Sequence, residues 1–111
     1  MSPPNPKVTL VDVPVDFEDA QTKFGKFVNA FRVVPDTGDE CFLDFCVYSA
    51  QENRALVVAR LRIHRSFLPI INARLTNELP KLAPEALRME DGVVKTDDGR
   101  LVFFTGPKGE Q

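Results

Sequence analysis

The chain has 111 residues, 43% apolar and 27% charged, with a net charge of −2, nine Phe, one Tyr and no Trp. That length gives one domain able to bury a core without metal or disulfide support, and that balance excludes a disordered chain. The small negative net charge also leaves no global basic field to hold a polyanion.

Residues 1–25 read as an N-terminal arm with a short helix. Pro3, Pro4 and Pro6 keep its start extended. Val8–Val13 then reads as an edge strand, ended by Pro14. This strand is expected either to lie over the domain's own core or to be exchanged with a neighbouring subunit. Asp16 is placed to cap a helix over 16–25, with Asp19 in its first turn and Gly25 as its stop. Phe17, Ala20 and Phe24 share one face of it.

Residues 26–79 form the predicted core, a β-β-β-α unit. Strand 26–34 carries Phe27, Asn29, Phe31 and Val33 on one face, and Pro35-Asp36-Thr37-Gly38 turns the chain. Strand 41–49 places Cys41, Leu43, Phe45 and Val47 opposite Phe42, Asp44, Cys46 and Tyr48. Strand 55–64 alternates Ala55, Val57, Ala59, Leu61 and Ile63 with Val58, Arg60, Arg62 and His64. Ser66 then caps a helix whose Leu68, Ile71, Leu75 and Leu79 recur at spacings of three and four. That stripe is expected to cover the apolar face of the sheet. Phe67 and Ile70 form a second apolar edge, and Pro80 stops the helix.

Residues 80–111 read as a connector with a short helix over 85–89, a small hairpin and a tail. The hairpin joins Val93–Thr96 to Leu101–Phe104 around Asp97-Asp98-Gly99, a strong turn signal.

The central segment FVNAFRVVPDTGDECFLDFCV, the strand ARLRIH and the helix ending INARL resemble a small bacterial and phage family of unknown function. Asn29, Phe31, Arg32 and Val33 match its "Asn-X-aromatic-Arg-Val" element, and Leu43, Asp44 and Phe45 match its "Leu-Asp-Phe". Arg60 and the helix Ser66–Leu79 match the rest, so the resemblance covers about half the chain. The early Pro69 and the C-terminal hairpin depart from the pattern. The family carries no established activity, so the resemblance implies a fold and little function.

Little in the residues points to catalysis. His64 is the single histidine, and no nucleophile elbow surrounds Ser49 or Ser66. Cys41 and Cys46 fall on opposite faces of one strand, so they read as reduced thiols and not as a zinc site. The acidic runs Asp36–Glu40 and Asp97–Asp98 lack calcium-loop spacing and are explained as turns. No cofactor is expected. No basic-then-apolar leader follows Met1 and no run approaches membrane-spanning length, so a soluble, cytoplasmically made protein is expected.

Two function classes remain. The leading expectation is a non-enzymatic structural protein that forms a homo-oligomer or joins a larger protein assembly. Its narrowest form is a virion component, such as a capsid decoration (cement) protein of a tailed phage. The interface residues expected are Val8, Leu10, Val11, Phe42, Tyr48, Val58, Phe67, Ile70, Phe103 and Phe104. The alternative is a small cytoplasmic regulatory or adaptor protein, in one form binding single-stranded nucleic acid through Arg60, Arg62 and His64 beside Phe42 and Tyr48. Pairing of Arg60 with Asp44 across the sheet competes with that alternative. The fold class expected is α+β: a three-stranded antiparallel meander, one main helix packed on one face, an extended arm and a separate C-terminal β-hairpin.

Overall fold

A computed structural model describes residues 10–82 and 89–107. Among the described residues the chain forms five strands and one α-helix: β1 (Ala30–Pro35), β2 (Glu40–Ser49), β3 (Arg54–His64), α1 (Phe67–Glu78), β4 (Met89–Lys95) and β5 (Leu101–Pro107). All the strands belong to one antiparallel sheet, in the order β3-β2-β1-β5-β4.

This corrects the expected three-stranded meander. The C-terminal hairpin is not a separate unit, because β5 pairs with β1 through Ala30↔Phe104 and Phe31↔Phe103. The backbone link continues where the N–H of Thr105 donates to the C=O of Asn29 at 2.8 Å. The physical reason is that β1 would otherwise be an edge. An unpaired edge exposes a row of amides and carbonyls, and β5 covers the start of that edge at Ala30 and Phe31.

The hairpin turns form where the sequence places them. Gly38 takes φ 61° between β1 and β2, and Gly99 takes φ 83° between β4 and β5, values that disfavour a side chain. Asn53, the residue type that best tolerates this region after glycine, takes φ 53° before β3.

The helix is the second correction. It spans nearly the predicted residues, but it does not cover the sheet. None of its residues is buried. Leu68 and Ile71 are half-buried, while Leu75, Leu79, Phe67 and Ile70 are exposed. Ser66 precedes the helix without a side-chain cap bond. Its hydroxyl faces His64 Nδ1 at 2.8 Å instead.

The arm is the third. Among the described residues, 10–29 contain no strand, only a short 3₁₀ turn at Thr22–Phe24. Asp19, not Asp16, organises that turn. Its Oδ1 accepts from the N–H of Gln21 and of Thr22 and from the Thr22 hydroxyl. Gly25 ends the turn at φ 74°, as the sequence predicts. Val8 and the helix expected over 85–89 fall wholly or largely outside the described residues.

The core lies on the face expected to be mixed. Ala30, Cys46 and Val102 are buried together, with Tyr48, Ala55, Val94 and Phe104 packed against them. Ala55 comes from β3 and Val94 from β4, the two outermost strands, so the sheet curls towards this side. A bulge helps it to curl. Phe45 pairs with Ala59, but Cys46 pairs with Val57, which leaves Val58 as the extra residue. The bulge moves Ala55 and Val57 to the inner face and leaves Ala59, Leu61 and Ile63 on the outer one.

Candidate interaction surface

Two aromatic contacts close the inner face. The Tyr48 and Phe104 rings lie 4.5 Å apart between centroids. Phe104 also lies over Gly92, its direct cross-strand partner. A Cβ on Gly92 would come within 2.8 Å of Phe104 Cε1, so the strand needs glycine there.

The inner face also holds Asp44, whose side chain is fully buried. Burial of a carboxylate is tolerated only when it is paired and hydrogen-bonded. The register supplies both partners, because Arg32 and Arg60 flank Asp44 directly across β1 and β3. Arg60 Nε donates to Oδ1 at 2.7 Å and its Nη2 to Oδ2 at 2.9 Å. Arg32 Nε donates to Oδ2 at 2.8 Å, and its Nη1 reaches Asp98 at 2.9 Å in the β4–β5 turn. The Arg60 bonds, followed by those from Arg32, hold the Asp44 carboxyl below its ordinary range, against an upward push from burial. The same bonds hold both guanidiniums charged. Burial pushes the Cys46 thiol up, away from thiolate.

This cluster is a brace across three strands. A carboxylate held ionised and two guanidiniums held protonated have no proton to exchange near neutral pH. Among the described residues, no three His, Cys, Asp or Glu side chains gather where a metal ion would fit.

The outer face is different. Phe31, Val33, Leu61, Val93, Leu101 and Phe103 are all at least 40% exposed and share one side of the sheet. Phe31 stacks on Phe103 with centroids 5.5 Å apart, so the patch is continuous from β1 to β5. Period-two alternation identified which residues share this face. It could not say which face would be covered; Phe31, Val33 and Leu61 were expected on the face under the helix, Val93 and Leu101 in a separate hairpin, and Phe103 at an interface.

The expected interface residues divide into three groups. Leu10 and Val11 in the arm, Phe67 and Ile70 on the helix, and Phe103 on the outer face are exposed. Tyr48 and Phe104 are occupied in the inner cluster, and Phe42 is covered by the guanidiniums of Arg60 and Arg62, at 4.3 and 5.1 Å from its ring centroid. Val58 is half-buried at the bulge, where its carbonyl accepts from Lys26 Nζ at 3.4 Å. The structure therefore does not bring the nine described ones together.

The basic residues of the alternative do line one strand, but with acidic neighbours. Arg60 is bound to Asp44, Arg62 lies 3.8 Å from Asp36 and 3.9 Å from Glu40, and His64 lies 3.8 Å from Asp39.

No family model, no curated protein and no solved structure matches the chain.

Proposed function

We propose that this protein is a non-enzymatic assembly protein that works as a homo-oligomer, with the outer face of its sheet buried between subunits. The observation that carries this reading is the exposed apolar outer face, where Phe31, Val33, Leu101 and Phe103 form a patch continuous from β1 to β5 and Leu61 is exposed on β3. Isolated apolar residues on a surface need no explanation, but a contiguous patch across a sheet marks an interaction site. The uncovered helix adds Phe67 and Ile70 to the apolar surface.

A phage-head decoration protein is a narrower form of the same reading. The arm and the exposed faces fit it, as they fit any assembly protein, and the resemblance noted above motivates it. Single-strand binding has less support, because carboxylates already neutralise Arg60 and lie near Arg62 and His64.

Lysine substitutions on the outer face test the proposal. Leu61→Lys and Phe103→Lys should reduce the sedimenting species to monomer while the far-ultraviolet spectrum stays native. Retention of the wild-type oligomer by both variants would remove the outer face from the assembly.

A further inference from the structure

The arm and the outer strand β3 have complementary patterns, and the structure leaves both uncovered. From Val11 the arm alternates strictly. Val11, Val13, Val15 and Phe17 fall on one side of an extended chain, and Asp12, Pro14, Asp16 and Glu18 on the other. Its apolar residues are held away from the body, with Val11, Val13 and Val15 exposed to 66%, 69% and 81%. Between residues 10 and 19 there are four acids (Asp12, Asp16, Glu18, Asp19) and no base.

Strand β3 carries the opposite charge in the same arrangement. Beyond its bulge, Ala59, Leu61 and Ile63 lie on the outer apolar face, and Arg60, Arg62 and His64 on the other. Between residues 54 and 65 there are four arginines (Arg54, Arg60, Arg62, Arg65) and no acid. Among the described residues no strand pairs with the far side of β3. The Arg62 side chain is 59% exposed, with carboxylates no nearer than 3.8 Å.

We infer that residues 11–17 of one copy add as a strand to the free edge of β3 in a second copy. This rests on the assembly reading above and gives it an interface. In that register Val11, Val13 and Val15 extend the outer apolar face beside Ala59, Leu61 and Ile63. Asp12 and Asp16 lie on the side of Arg60 and Arg62. Backbone bonds supply affinity and the alternating side chains supply register.

Pro14 fits this role. It has no N–H to donate, so it must sit where that position faces away from β3. Val11, Val13 and Val15 then make the ladder bonds, and Pro14 blunts the new outer edge. A blunted edge favours a closed pair of exchanged arms over an open fibre.

A charge exchange tests the inference by light scattering on the full chain. Asp12→Lys with Asp16→Lys reverses the arm, and Arg62→Glu with His64→Glu reverses the strand. Each double variant alone should shift from dimer to monomer, with at least a tenfold weaker association. An equimolar mixture should restore the dimer, because each arm then meets a strand of opposite charge, and restoration also shows that both variants fold. Wild-type dimerisation by either variant alone overturns the arm exchange and leaves the outer-face assembly standing, and a mixture that stays monomeric overturns the arm exchange. A wild-type monomer whose arm is protease-resistant until Asp12 and Asp16 are reversed places the arm on its own β3 and overturns the second-copy assignment. A wild-type monomer with a protease-sensitive arm overturns the assembly reading itself.

Discussion

Asp44 is the residue on which the inner face depends. Its carboxylate is buried and ties β1 to β3 through Arg32 and Arg60. Removing it by Asp44→Ala leaves Arg32, largely buried itself, with only the exposed turn residue Asp98 as partner. Loss of one member of a buried pair costs about 3–5 kcal/mol, so urea denaturation of Asp44→Ala should show a large fall in midpoint. The same group sets an acid limit. Its folded carboxyl lies below the ordinary value of 3.8. The stabilisation is therefore complete above that value, declines as the pH falls below it and is gone below the folded value. An acid titration followed by circular dichroism should show the wild type losing structure below about pH 4, with Asp44→Asn already destabilised and less pH-dependent there. At Gly92 the account predicts a steric effect. Gly92→Ala drives a methyl group into the Phe104 ring, which Tyr48 already backs. Overpacking of this kind costs about 1–3 kcal/mol, and Gly92→Ala with Phe104→Leu should recover part of the loss in melting temperature. The buried thiols of Cys41 and Cys46 should react with a thiol reagent far more slowly in the folded protein than in denaturant.

At the scale of elements, the sequence determines some features and leaves others open. β2 and β3, the main helix and both hairpin turns lie close to where alternation, apolar spacing and the glycines put them; β1 starts four residues later than predicted. The Asp44–Arg60 pair was also legible, because both residues sit mid-strand on facing strands. The Arg32–Asp98 link was not, since it depends on β5 pairing with β1, and a hairpin's sequence does not name its neighbour. The bulge at Val58 was equally hidden. It reverses the facing of Ala55 and Val57 without any glycine to mark it. The burial of the inner face follows from these two features. Once β5 and β4 extend the sheet and the bulge bends it, the side bearing Tyr48, Val102 and Phe104 closes on itself. The more apolar side is left outside. The helix could not be expected to remain uncovered, because its spacing is the same whether it packs on its own sheet or on another chain. The prediction for this element is that Ile70→Lys should leave the melting temperature of the isolated chain nearly unchanged, whereas Val102→Ala should lower it clearly.

The whole molecule exposes more than a self-sufficient domain of its size. Its accessible surface is 9690 Å², against about 6100 Å² for a folded monomer of the same mass. Its radius of gyration is 16.7 Å, against about 13 Å for a compact chain of this length. The extended arm contributes to both differences, and the bare sheet face and helix to the first. The buried apolar residues among those described are Ala30, Val34, Cys41, Cys46 and Val102, a small core for such a chain. On the proposed assembly reading folding and association are linked, and the melting temperature should then rise with protein concentration. The most direct test of the account is the native mass of the full chain by light scattering across a range of concentrations. The account predicts a dimer or larger assembly that dissociates only on dilution. A monomer at every concentration, with a melting temperature independent of concentration, would contradict it.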